Sequence, residues 1–233
     1  MQFPDIIQKI LIWSIPILFA ITLHEVAHGW VANKLGDPTA KVRGRLTINP
    51  IKHIDLIGTI IVPTILLLIP HVSFIFGWAK PVPVNYQNLR HPRRDMALVA
   101  AAGPAANLVM ALFWVMITKL GISINHEVVA NTHSNLQLSQ ILTTIGFTGM
   151  AINIALMVLN LIPIPPLDGS RIVTSMLPLK AARYYNYLSQ VGFLILIILL
   201  TTGLISAILR PTVLFSLNFL IEIFDLYAIQ RII

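Results

Sequence analysis

The chain has 233 residues, of which 56% are hydrophobic and only 11% charged, and its mean hydropathy is +0.81. A soluble domain of this length needs a charged shell that this composition does not supply, so a soluble enzyme is excluded and an all-α polytopic membrane protein is expected. The formal charge of +7 is read as loop topology rather than nucleic-acid binding, and the absence of cysteine excludes disulfides and thiolate metal ligands.

Residues 6–33 read as one long helix, apolar up to His24 and leaving the membrane near Lys34. It is not a cleaved signal peptide, because Asp5 precedes Lys9, no small-residue cleavage site follows, and a polar motif sits inside it. Gly36, Asp37, Pro38, Gly44 and Pro50 then punctuate the chain, and Ala40-Lys-Val-Arg-Gly-Arg-Leu-Thr-Ile48 alternates enough to predict a short hairpin. Residues 56–76 are apolar but carry Gly58, Pro63 and Pro70. Residues 77–95 are polar, with Val82-Pro-Val84 extended because a residue before proline avoids the helical region. Three clean spans are predicted at 97–119, 138–160 and 185–209, and a last apolar segment, 212–230, carries Glu222 and Asp225 and spans poorly or lies in the interface. The expected architecture is five to six transmembrane helices, a re-entrant segment and short β-strands on the cytoplasmic side. The whole of 1–233 forms one membrane-embedded domain in this reading, with a core at about 6–175 and C-terminal helices at about 184–233.

Loop charge supplies the orientation. Of the 16 Lys and Arg, five lie in 34–55, four in 77–95 and three in 170–183, whereas 121–137 has none. The positive-inside rule makes the first three loops cytoplasmic and the fourth external, which puts the N-terminus outside. Both flanks of 56–76 are basic, so that segment should enter and leave on one side. A broken, re-entrant segment is tolerated where protein or a water-filled cavity satisfies its backbone.

His24-Glu25-Val26-Ala27-His28 carries the chemistry. Two histidines four apart on a helix project from one face, a spacing at which both imidazoles reach one Zn²⁺. Glu25 starts on the adjacent rail, where its carboxylate addresses a metal-bound water instead of the metal. Three polar side chains on one turn of a membrane helix are costly unless something pairs them. A catalytic zinc also needs a third protein ligand. His53, His71, His91, Asp55 and Asp95 lie in or beside polar loops and read as solvated, while Glu222 and Asp225 lie in the least regular segment. His126-Glu127 begins like the motif but ends in Ala130, in the external loop. Asp168, in Asn160-Leu-Ile-Pro-Ile-Pro-Pro-Leu-Asp-Gly169, also suits a turn or a helix cap. Span parity favours it as the ligand. If 56–76 is re-entrant, two crossings separate His28 from Asp168 and both lie at the cytoplasmic side.

With these pieces in place, the sequence resembles the site-2 protease family of intramembrane zinc metalloproteases (peptidase family M50). The matching pieces are the His24–His28 helix, Gly44-Arg-Leu-Thr-Ile-Asn-Pro50, Gly77-Trp-Ala-Lys-Pro-Val-Pro-Val-Asn85, Ala102-Gly-Pro-Ala-Ala-Asn107 and the Asn160–Gly169 segment, in the family's order. The resemblance implies that His24, His28 and Asp168 bind one Zn²⁺ per chain and that Glu25 is the catalytic acid–base. It further implies that Asn160 and Pro166 help hold the substrate strand and that Asn107, on a helix near the site, is a substrate-binding residue with them. It implies the minimal form of the family, without PDZ or CBS domains. Expected partners are single-span membrane-protein substrates and the lipid bilayer, and the small residues of 100–106 permit close helix packing within one chain or in a homo-oligomer. The expected location is a bacterial or archaeal plasma membrane, with the active site towards the cytoplasm. A divalent-metal transporter would spread ionisable groups through several helices, and a non-catalytic scaffold would not need a complete metal and base set.

Overall fold

The computed structural model describes residues 3–62, 65, 77–128 and 133–229. Long apolar stretches become long helices: α1 (Phe3–Lys34), α3 (Pro92–Val128), α4 (His133–Leu161), α6 (Leu179–Thr201) and α7 (Leu204–Ile223), with the short helices α2 (Thr39–Val42) and α5 (Asp168–Met176) between them. Stretches of all five long helices, Leu11–Lys34, Pro92–Ile124, Leu136–Leu161, Leu179–Thr201 and Leu204–Ile223, are long and apolar enough to cross a membrane. Large apolar side chains such as Trp13, Phe113, Met116 and Phe215 stand exposed on them, as a lipid solvent allows and water does not.

Glycines in the left-handed region close two of the first helices. At the end of α1, Gly36 has φ +116° while Asp37 donates back to Ala32 (2.9 Å). At the end of α2, Gly44 has φ +63°, with Gly44 bonding Lys41 and Arg45 bonding Ala40, both at 2.9 Å. Both are Schellman closures. The second corrects the hairpin predicted for 40–48, and no strand occurs among the described residues. Helical and turn bonds take up the amides of residues 42–45, so alternation of side chains was not enough to make a ladder.

The C-terminal spans also differ from expectation. The predicted span 185–209 is interrupted by Thr202 and Gly203 (φ +76°), so one helix ends at Thr201 and the next begins at Leu204. Hydropathy misses this break because two threonines and a glycine barely lower the average over a strongly apolar window, and the Thr201 and Thr202 hydroxyls bond carbonyls of their own helix rather than marking a polar loop. The last span starts well before residue 212 and ends at Ile223 despite Pro211. Residues 121–128, expected in a loop, continue α3 as far as Val128, so His126 and Glu127 are helical.

Most of the predicted re-entrant segment lies outside the described residues. Its first residues and the chain that follows it from Gly77 are described, and they meet. Trp78 donates to the Gly58 carbonyl (3.1 Å), Lys80 to the His53 carbonyl (2.9 Å), and the Thr59 hydroxyl to the Trp78 carbonyl (2.8 Å). Gly58 lies beneath the Trp78 indole, where a Cβ would collide with the ring.

Packing divides the chain into two units. One comprises Met1–Ala20, Asn107–Val158 and Leu209–Ile233; the other comprises Ile21–Ala106 and Leu159–Ile208. The first has a core of Ala111, Trp114, Val115, Met150, Ile154, Leu217, Leu220 and Leu226. There α3 and α4 approach closely because Gly149 accepts the Trp114 ring, Gly146 faces Thr118 and Gly121 faces Thr143. Small residues let membrane helices gain contact area and hydrogen bonds, and Ser139 Oγ donates to the Gly121 carbonyl at 2.8 Å. The second unit holds the candidate site.

Candidate metal centre

On the α1 helix, His24 and His28 sit one turn apart, edge to face, with ring centroids 4.6 Å apart and ring planes at 87°. Both are almost fully buried, at 8% and 9% exposure. Asp168 arrives from another element. The prolines after Leu161 end α4, and the turn that follows is held by Ile164 bonding Ile162 (2.8 Å) and Leu167 bonding Ile164 (2.9 Å). Asp168 is then the first residue of α5. The turn is tight enough that a Cβ at Gly169 would strike the carbonyls of Leu161 and Ile162. Asp168 thus opens a helix, as an isolated Asp after prolines often does, and also points into the histidine pair.

Three ligand atoms converge. His24 Nε2 lies 3.0 Å from His28 Nε2 and 3.1 Å from Asp168 Oδ2, and His28 Nε2 lies 3.2 Å from the same oxygen. Tetrahedral zinc with bonds of about 2.0–2.1 Å separates its ligand atoms by roughly 3.3 Å.

His28 Nδ1 lies 2.7 Å from the Val99 carbonyl on α3, which places the proton on Nδ1 and leaves the Nε2 lone pair facing the site. Asp168 Oδ2 is buried without a hydrogen-bond donor. Electron pairs at such distances repel unless a cation or a proton stands among them. The donor set therefore fits a divalent metal with nitrogen and oxygen preference, zinc above all. Gly103 completes the cradle, since a Cβ there would fall within 2.6 Å of His24 Nε2 and still closer to His28 Nε2.

The other expected site residues fall as follows. Glu25 is half-buried, and one carboxylate oxygen accepts the Val82 backbone N–H at 2.6 Å. Asn160 is half-buried near the end of α4, and Pro166 is exposed beside buried Pro165 in the turn before Asp168. Asn107 is fully buried, and its amide donates to the Ala20 carbonyl (3.3 Å) and to Asn153 (3.0 Å).

No other described His, Asp or Glu joins the cluster, and His71 lies outside the described residues. His53 and Asp95, read as solvated, are each 2% exposed: His53 bonds the Thr47 carbonyl and Asp95 accepts the His91 N–H. Asp55 caps the turn at Ile57 and Gly58. Loop polarity misled here, because these side chains satisfy the backbone of their own loops.

Sequence reasoning missed the parts played by Val99, Gly103 and Val82. Gly103 left a trace in the run of small residues at 100–106 and Val82 in the extended stretch 82–84, but neither revealed that it meets the histidine pair or Glu25.

The sequence profile of peptidase family M50 matches residues 12–199. YwhC of Bacillus subtilis (strain 168), named as a candidate zinc metalloprotease, is 36% identical over 197 residues, which cover 84% of this chain and 83% of YwhC. Rip2 of Mycolicibacterium smegmatis, named likewise, is 31% identical over 79% of this chain and 64% of its own length. Rip2 of Mycobacterium tuberculosis is 28% identical over 65% of this chain and 52% of its own length. No solved structure matches the chain.

Proposed function

Because the chain belongs to peptidase family M50, the site-2 protease family of zinc metalloproteases, we propose that it is an intramembrane endopeptidase that cuts single-span membrane proteins in or near their transmembrane segments. In this reading His24, His28 and Asp168 hold one zinc ion and Glu25 is the acid–base. The observation that carries it is the convergence of the three ligand atoms, each within about hydrogen-bond distance of the other two, from α1 and α5.

When bound, zinc lowers the pKa of a water molecule and polarises the scissile carbonyl. Everything else falls to the chain. Val99 holds the His28 ring by its carbonyl, so that Nε2 is the ligating nitrogen. Glu25 takes a proton from the attacking water and returns it to the leaving amine, one of its oxygens being steadied by Val82. Asn160 and exposed Pro166 border the ligand turn and hold the unwound substrate strand beside it. We assign buried Asn107 to packing, because its amide is already committed to Ala20 and Asn153.

Loop charge supports an N-terminus outside and a site towards the cytoplasm, in what we read as a plasma membrane. The re-entrant reading of 56–76 is supported by bonds between the chain on its two sides, Trp78 to Gly58 and Lys80 to His53. Co-expression of Glu25→Gln with single-span substrates tests the proposal. The variant should keep its zinc and lose cleavage; cleavage that persists would overturn the role of Glu25 and with it the mechanism.

A further inference from the structure

The chain from Lys80 to Asn85 is gripped at both ends. The Lys80 N–H donates to the His53 carbonyl (2.9 Å), and the Lys80 carbonyl accepts from the Arg45 guanidinium (2.8 Å). At the far end the Asn85 N–H donates to Asp37 (2.7 Å), and the Asn88 side-chain amide donates to the same carboxylate (2.9 Å). Asp37 is fully buried and also accepts the backbone N–H and the hydroxyl of Thr39. Burial raises its carboxyl pKa, but these donors outweigh that and hold it below the usual carboxylate range, so Asp37 stays ionised.

Between the grips the segment cannot curl. Pro81 and Pro83 fix their own φ, and Lys80 and Val82, each preceding a proline, are kept extended. The prolines also carry no N–H. Only Val82 and Val84 offer donors between the anchors, and the Val82 N–H is spent on Glu25 at 2.6 Å. Its side chain meets α1 one turn further on, where a Cβ at Gly29 would fall 2.7 Å from Val82 Cγ1 and 2.6 Å from Leu46.

We propose that Lys80–Asn85 is a rigid arm whose Val82 amide positions the Glu25 carboxylate, with Asp37 and Arg45 as the positioning residues that hold the arm. The inference rests on the reading of Glu25 as the catalytic base. A glutamate turns about three bonds, and a carboxylate free to turn is seldom at the reacting atoms. A charge-assisted bond from a backbone N–H fixes one oxygen and leaves the other to move the proton.

Hydrogen exchange tests the contact without zinc or substrate, and the two prolines leave a peptide over 80–85 with few amides to confuse the readout. In the metal-free protein Glu25→Ala should convert one slow amide in that peptide to a fast one, and Asp37→Ala should release at least two, those of Val82 and Asn85. Equal exchange in the wild type and Glu25→Ala would overturn the contact.

Kinetics test its role. Val82→Pro deletes the donor and should lower kcat by about 10–100-fold with KM and zinc content little changed, while Val82→Ala, which trims the packing on α1 but keeps the N–H, should lose markedly less. Wild-type kcat in Val82→Pro would overturn the positioning role. If Val82→Pro loses its zinc, Asp37→Asn decides: a lower kcat at full zinc content supports the arm and an unchanged kcat refutes it. An intact contact in a wild-type protein that cleaves nothing would instead overturn the protease reading, so the two failures are distinguishable.

Discussion

Replacing Gly103 by alanine should separate metal binding from stability. The added methyl falls 2.5 Å from His24 Cε1 and 2.6 Å from His24 Nε2, and closer still to His28 Nε2. Real Cβ atoms do not approach so near, so with zinc bound the rings or α3 must shift. Overpacking of a well-filled site costs about 1–3 kcal/mol. At about 1.4 kcal/mol per tenfold, the zinc dissociation constant should rise by roughly 5–150-fold. Without metal the imidazoles can turn aside, and alanine in place of a helical glycine then contributes up to about 1 kcal/mol of helix propensity. The metal-free variant should therefore melt at or slightly above the wild-type temperature. Zinc affinity is measured by chelator competition and stability by thermal unfolding of the metal-free protein in detergent. Wild-type zinc affinity in Gly103→Ala would refute the packing of the histidine pair against α3.

Other substitutions test neighbouring parts of the argument. Asp168→Asn removes an anionic ligand from a buried site and should weaken zinc binding by more than the roughly 10–100-fold of an outer-shell change, read by metal analysis after dialysis. Asn107→Ala strips the donor from the Ala20 carbonyl and from Asn153 and should destabilise the protein by about 1–3 kcal/mol, with KM unchanged if the residue serves packing alone. Asp37, with a folded-state pKa below its unfolded value near 3.9, contributes stability that is complete above about pH 4 and is lost as pH falls through the folded value. The protection of amides over 80–90, relative to their intrinsic exchange at each pH, should therefore fall below about pH 4 in the wild type, and Asp37→Asn should lack that step.

Much of the site was legible because its strongest signals are local. Histidines four apart on a helix share a face whatever the rest of the chain does, and Glu25 follows from its place between them. Asp168 is a long-range partner, yet reading the charges of the connecting loops as a topology pointed to it, and the folded chain brings its carboxylate against His28. Loop residues were harder. His53 and Asp95 read as solvated because polar surroundings suggest water, but backbone groups in those loops need partners and the side chains supply them. The hairpin at 40–48 failed for a similar reason, since Gly44 can close a helical turn as readily as it can turn a hairpin.

By itself the sequence determined the class of protein, four of the long helices, the break in character near residue 35 and the histidine pair with its glutamate. All of these depend on composition or on spacing within a few turns. Tertiary structure decided the rest. Val99 lies 71 residues from the His28 ring it orients, and Val82 lies 57 residues from the carboxylate it holds. The division of the C-terminal apolar stretch at Gly203 likewise rests on backbone geometry that hydropathy averages away. A backbone carbonyl, a backbone amide and a missing Cβ carry no side-chain signature, so their part in the site emerges only when the chain is folded.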